Sequence, residues 1–147
     1  MLNIRMMTIE DYLSVYKLWA LTPSMGLNNV NDSEKGIARM LKRNPTLSFV
    51  AEDYNQIIGV IIAGEDGRRG YLYHTAVHQD YRHKNIGKNL VKSVLDEMKE
   101  LEITKVGLFI FQNNHIGNGF WENMGFKVRD DLYYRDLALT ELQRIDT

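Results

Sequence analysis

The sequence has no cysteine and only two prolines in 147 residues. Without cysteine there is no disulfide framework, no thiolate metal site and no cysteine nucleophile. Charge of one sign is also missing: 18 Lys and Arg stand against 19 Asp and Glu, a net charge of -1. That balance argues against nucleic acid or an anionic membrane as the main partner, since either draws on a basic excess. No apolar run approaches the roughly 20 residues of a membrane helix. Nor does an uninterrupted apolar stretch follow Met1-Leu2-Asn3-Ile4-Arg5, as it would in a signal peptide. A cytoplasmic location is therefore expected. With 44% hydrophobic and 25% charged residues, the composition is that of a folded chain. Its length suits one domain over residues 1–147, with a core that needs no staples.

Periodicity then orders the elements. Residues 2–6 read as a first strand. Thr8, with Asp11 three residues on, opens a helix that places Leu13, Tyr16, Leu18 and Trp19 on one face and runs to about Leu21. Residues 24–32 read as a long loop. Ser33 opens a second helix that Asn44-Pro45 closes. Residues 47–52 and 57–63 form a hairpin, and a Gly-rich turn over residues 64–70 leads to a fourth strand, 71–78. Leu90, Val91, Val94, Leu95, Met98 and Leu101 predict a helix of about 15 residues starting near Ile86. A fifth strand is expected over 105–111 and a short helix after Asn114. Val128 and residues 132–139 read as closing strands. The order is β-α-α-β-β-β-α-β-α-β-β, a mixed α/β domain.

One junction is chemically distinctive. Between the fourth strand and the long helix lies Arg82-His83-Lys84-Asn85-Ile86-Gly87-Lys88. Free backbone N–H groups at a helix start attract anions, and the basic side chains add to that field. Gly87 allows close approach, and Asn85 tolerates a left-handed backbone. The segment is not a P-loop, because no Gly-Lys-Ser/Thr follows, and it lacks the three glycines of a dinucleotide fingerprint.

The pattern Arg82-x-x-Asn85-Ile86-Gly87 resembles the Arg/Gln-x-x-Gly-x-Gly/Ala pyrophosphate loop of the GNAT N-acetyltransferase superfamily. Further on, Asn114-x-x-Gly117-x-x-Phe120-Trp121-x-x-x-Gly125-Phe126 is similar to that family's second signature. Gly64-x-Asp66-Gly67-Arg68-Arg69-Gly70-Tyr71 with His74-x-Ala76-Val77 resembles a subgroup of small bacterial members. The resemblance covers the whole chain. It implies a mixed, mostly antiparallel central sheet flanked by helices, acetyl-CoA as donor and an amine as acceptor. Arg82, His83, Lys84, Asn85, Ile86, Gly87 and Lys88 would then hold the pyrophosphate. Ala76 and Val77 would pair with the pantetheine as a pseudo-strand, while Asn114, Phe120 and Trp121 would line the cofactor. Two departures stand out: Asn85 replaces a glycine, and Trp121 replaces the tyrosine that often protonates the departing thiolate. An indole N–H donates a hydrogen bond but gives up no proton.

The chemistry needs a neutral amine, donors for an oxyanion and a tolerable leaving group. His74 and Tyr73 are the candidate bases; neighbours on a strand face opposite ways unless a bulge intervenes. Backbone N–H groups near Thr75 to Val77 would face the oxyanion. Phe109 stands where some relatives carry a carboxylate, and Tyr133 or Tyr134 would replace the lost acid. Arg68 and Arg69 could clamp an acceptor carboxylate, and Trp19 with the 24–32 loop would wall the acceptor. His74 and His78 lack a compact third ligand, so no metal is expected. With no cysteine, transfer would run without a covalent enzyme thioester.

The expected function is acetyl transfer to a small amine such as an amino acid, peptide or polyamine. The alternatives are a non-catalytic acyl-CoA sensor, motivated by the lost tyrosine and carboxylate, and transfer to a protein N-terminus or lysine. Exposed late strands would allow pairing in a homodimer.

Overall fold

A computed structural model describes residues 1–145. In chain order the elements are β1 (Leu2–Met6), α1 (Tyr12–Ala20), β2 (Leu27–Asn28), α2 (Glu34–Arg43), β3 (Phe49–Asp53), β4 (Gln56–Glu65), β5 (Arg69–Val77), α3 (Ile86–Glu100), β6 (Lys105–Leu108), α4 (His115–Asn123) and β7 (Arg144–Ile145). Five strands make the main sheet in the order β1-β3-β4-β5-β6, with β2 and β7 forming a separate two-stranded ribbon. Every pairing in the main sheet is antiparallel except β5 with β6.

Alternation along the strands feeds two cores, one on each face of the sheet. On one face Phe49, Ala51, Ile61, Ala63 and Leu72 pack with Leu90, Val91, Val94 and Met98 of α3 and Trp121 of α4. On the other, Val50, Val60, Ile62 and Ala76 pack with Val15, Leu18 and Trp19 of α1 and Ile37 of α2. Helix starts are fixed locally. Ser33 Oγ accepts the Gly36 N–H at 3.0 Å, and Asn114 Oδ1 accepts that of Gly117 at 2.9 Å, each satisfying an orphan donor. Ahead of α1, a 3-10 turn over Ile9–Asp11 holds the Asp11 carboxylate on the Thr8 N–H at 2.9 Å.

The element reading needs three corrections. The 24–32 loop contains β2, whose Leu27 is buried. The fifth strand stops at Leu108 rather than running to 111, because β6 loses its partner there. Val128 and residues 132–139 form no strand: nothing pairs with them, and the chain rejoins a ladder only at Arg144.

Candidate active site

Two irregularities in β5 create the site. β5 and β6 stay in parallel register from Arg69↔Lys105 to Leu72↔Leu108 and then part. From Tyr73 to Val77 the β6-facing edge of β5 has no ladder partner among the described residues, leaving main-chain groups free for another extended chain. The second irregularity is a bulge. Val60 opposes Ala76 and Ile62 opposes Tyr73, so β5 spends one more residue than β4 over the same interval. His74 absorbs it with φ of 45°, a left-handed conformation unusual outside glycine. The bulge breaks the alternation, so Tyr73 and His74 both turn toward the α1–α2 face.

Three contacts hold this strained residue. The Trp19 indole N–H donates to the His74 carbonyl at 2.9 Å, and the two rings meet edge to face at 5.2 Å. His74 Nε2 lies 2.8 Å from Asp32 Oδ1. Asp32 is itself buried; its Oδ2 accepts the Asn28 N–H at 2.8 Å, and its carbonyl accepts the Tyr12 hydroxyl at 2.7 Å. Facing an anchored carboxylate, Nε2 is the nitrogen placed to donate, and in the neutral ring of that tautomer Nδ1 is the acceptor. Asp32 was not among the residues predicted from sequence. It stands at the end of what reads as a loop, 42 residues before its partner.

Tyr73 is at the margin of exposure, with Tyr71 at 6.5 Å between ring centroids. Burial, followed by the neighbouring Tyr71 and Tyr134 hydroxyls, pushes its phenol up. It therefore stays protonated at neutral pH and is suited to donate rather than to act as base. Tyr134 lies on no strand, but its ring rests 4.5 Å from that of Phe109, which stacks on Tyr71 at 5.9 Å. Tyr133 is almost fully exposed. A cavity of about 290 Å³ opens beside Tyr71 and Tyr73, lined also by Met40, Arg43, Asn44, Gly64, Glu65 and Asp66.

At the far end of β5 the chain turns into α3. His83 and Asn85 both adopt left-handed backbones, at φ of 63° each, and the Asn85 side chain does not cap the helix. Because the first hydrogen bond is Asn89 N–H to the Asn85 carbonyl, the N–H groups of Ile86, Gly87 and Lys88 have no partner within the described residues. Arg82 reaches back to the Val77 carbonyl at 3.4 Å, and the Lys84 ammonium lies 5.2 Å from the Tyr81 ring centre. No carboxylate ion-pairs with Arg82, Lys84 or Lys88 among the described residues. Free amides at the positive end of a helix dipole, with three cations around them, suit a pyrophosphate. Gly87 has a second reason to be glycine: a Cβ there would meet the Phe120 ring at 3.3 Å.

Other sequence-predicted residues take different places. Trp19 has no exposed surface, so it supports the bulge from inside the core and cannot wall an acceptor. Trp121 is buried edge-on between Phe120 and Phe126, so it packs α4 rather than fronting the cleft. Asn114 spends its Oδ1 on the α4 cap and retains only its amide N–H for a ligand. Arg68 and Arg69 are exposed at the start of β5, their N–H groups held by Asp66 Oδ1 at 2.9 Å each. Four residues of strand, about 13 Å, separate Arg69 from Tyr73. The Arg69 guanidinium nevertheless lies 6.0 Å from the centre of the Tyr71 ring, which lines the cavity; Arg43 lines it as well, and no motif in the sequence marks that residue. Ala76 and Val77 do flank the free edge of β5, with Ala76 buried toward α1 and Val77 packed toward α3. Among the described residues no group of three or more His, Asp or Glu could hold a metal ion.

Comparison with known proteins agrees with this arrangement. Residues 12–126 match the Acetyltransferase (GNAT) family. An acetyltransferase of Sodalis glossinidius is 29% identical over 142 residues, covering 97% of this chain and 99% of that one. Another, from Pectobacterium atrosepticum, is 30% identical over 88% of this chain and 90% of its own. Among solved structures, the PaiA N-acetyltransferase of Thermoplasma acidophilum, in complex with coenzyme A, superposes with a TM-score of 0.79 at 23% identity, covering 88% and 92% of the two chains. With a family match spanning most of its length and relatives aligned nearly end to end, the chain belongs to the GNAT family of acetyltransferases.

Proposed function

We propose that this acetyltransferase moves the acetyl group of acetyl-CoA directly to the neutral amine of a small acceptor. The observation that carries the reading is the parting of β5 from β6 after Leu72, which leads along a free strand edge to the unpartnered amides of Ile86, Gly87 and Lys88. In this reading the pantetheine lies along Ala76 and Val77, and the pyrophosphate meets the α3 amides with Arg82, His83 and Lys84 adding charge. Asn85 holds the left-handed turn that aims those amides.

His74 Nδ1 removes the proton of the attacking ammonium, with Asp32 fixing the ring. The amine nitrogen attacks the thioester carbon, and a main-chain N–H of Thr75 to Val77 receives the oxyanion. The C–S bond then breaks, and the second proton of the former ammonium passes from the amide nitrogen to the departing sulfur, so that a neutral amide and CoA thiol result. Thiols have a pKa of about 8.5, so the thiolate leaves at modest cost, and the protonated Tyr73 hydroxyl steadies it with a hydrogen bond. The acceptor sits in the cavity beside Tyr73, whose lining combines Arg43 with Glu65 and Asp66, a charge set that suits an acceptor carrying both an ammonium and a carboxylate; the Arg69 guanidinium approaches the same lining at Tyr71, 6.0 Å from its ring centre.

The test is release of CoA thiol from acetyl-CoA against a panel of amino acids, short peptides and polyamines. Turnover with a small amine, abolished by His74→Gln, is the expected result. Acetyl-CoA binding without turnover across the panel would favour the sensing module. Acetylated protein N-termini or lysines in a digest, without small-amine turnover, would favour a protein acceptor.

A further inference from the structure

The cavity beside Tyr73 is not lined by His74. Its lining runs from Tyr73 back past Tyr71 to Glu65 and Asp66, with Arg43 on the α2 side. Glu65 pairs with Gly70 across the β4–β5 hairpin, so the acidic end stands four residues of strand, about 13 Å, from His74.

That end is held in place from several sides. Asn44, buried at the close of α2, accepts the Glu65 N–H on its Oδ1 at 3.1 Å and so fixes Arg43 relative to β4. Gly64 permits the approach, since a Cβ there would stand 3.1 Å from Asn44 Nδ2. Glu65 Oε2 accepts the Gly67 N–H at 2.7 Å, and Asp66 Oδ1 accepts those of Arg68 and Arg69. Each carboxylate thus keeps its other oxygen outside these turn hydrogen bonds. Among the described residues none of Arg43, Glu65 and Asp66 is in an ion pair. Two acids and a guanidinium around one cavity suit a ligand of both signs, an ammonium for the acids and a carboxylate for Arg43.

An α-amino acid carries both groups on one carbon. Gripped at this end, its α-nitrogen is occupied and too far from His74 to react. The reacting nitrogen is then a second one, on a chain that passes Tyr71 and Tyr73. Their rings, with the Met40 side chain, offer that chain's methylenes an apolar wall.

We propose that the acceptor is a diamino acid, held in this cavity by its α-ammonium and carboxylate and acetylated on its side-chain amine. The proposal rests on the acetyl transfer to a small amine assigned above and names its substrate class. The side-chain ammonium gives one proton to His74 Nδ1, and its nitrogen bonds to the acetyl carbon. The C–S bond breaks, and a second proton of that nitrogen goes to the departing sulfur. The α-ammonium stays with Glu65 and Asp66 and keeps its protons throughout.

The experiment gives the full chain acetyl-CoA with lysine, ornithine, leucine or 1,5-diaminopentane. It reads CoA thiol release and locates the acetyl group by fragmentation mass spectrometry. Leucine keeps the head groups without a second amine, and 1,5-diaminopentane keeps the amines without a carboxylate. Lysine or ornithine should be acetylated on the side-chain nitrogen. Leucine should show a kcat/KM lower by about tenfold or more, and 1,5-diaminopentane a KM higher by about the same factor. Arg43 is exposed, so Arg43→Gln should leave circular dichroism unchanged. It should raise the KM for the diamino acid about tenfold or more and remove its advantage over 1,5-diaminopentane. Acetyl on the α-nitrogen, leucine used as well as lysine, or turnover confined to monoamines would overturn the proposal while leaving transfer to small amines intact. So would an Arg43→Gln variant with the wild-type KM for lysine and ornithine. No CoA release with any small amine would remove the small-acceptor reading and this proposal together.

Discussion

His74 is held in a conformation that few non-glycine residues adopt, and its side chain, carbonyl and ring each have a partner. Strain of this kind costs on the order of 1–3 kcal/mol and persists only where the surroundings enforce it. Trp19 supplies part of that enforcement through a single N–H. Replacing it with Phe strands that carbonyl and also leaves a void where the larger indole packed, so Trp19→Phe should lower stability by about 2–4 kcal/mol in urea unfolding and reduce kcat. Asp32→Asn keeps the shape but permits the amide to donate to Nε2, moving hydrogen to Nδ1, the wrong nitrogen for a base. We expect kcat to fall roughly 100-fold, the lower range for losing general-base catalysis, while KM for acetyl-CoA stays within about twofold. An unchanged kcat in steady-state assays would remove His74 from the base role.

At the scale of elements, α3 does two tasks with opposite ends. Its apolar face closes one core, and its first turn leaves three amides free beside Arg82, Lys84 and Lys88. Anion affinity built this way is partly long-range and is screened by salt. Arg82→Glu should therefore raise the Kd for CoA about tenfold or more, and the wild-type Kd in calorimetry should itself rise between low and moderate salt. The tight contact at Gly87 affects how that loop is best tested. A Gly87→Glu change adds charge but also pushes on Phe120, so lost binding there would mix repulsion with repacking. Arg82 is exposed and avoids the confusion.

Across the whole molecule, a polar network ties the first strand to the entry of α1. The Arg5 guanidinium meets both Asp11 oxygens at 2.9 Å and also reaches Glu52. Burial pushes Asp11 up, but the Arg5 hydrogen bonds and the Thr8 N–H outweigh it and hold the carboxyl below its usual value. A depressed carboxylate stabilises the fold above its unfolded pKa and loses that contribution as pH falls through the folded value. The loss is thus confined to the acid side, below about pH 4. Arg5→Ala should cost about 1–2 kcal/mol at pH 7, allowing for Arg5's partial exposure, and clearly less at pH 2. Denaturant midpoints at the two pH values check this; an equal loss at both would mean the network stabilises by packing instead.

Much of this protein was legible in one dimension. Periods of 3.6 and 2 are set by which side chains must leave water, so α3, α2 and the hairpin of β3 with β4 follow from local pattern, as does the basic loop at a helix start. Three things required the folded chain. The His74–Asp32 contact joins residues far apart in sequence through a bulge that no residue type announces. The fates of Trp19 and Trp121 depend on what packs over them, and both proved to be interior, while Arg43 reaches the cavity only because α2 ends beside β4 and β5. The late strand pattern is the reverse case: local propensity is present, but a strand exists only where a second backbone accepts its hydrogen bonds. The absences noted at the outset, cysteine above all, bound the chemistry to acid–base groups and main-chain amides. Sequence determined that repertoire; tertiary structure decided which of its members meet, because meeting depends on registers and layers rather than on neighbours in the chain.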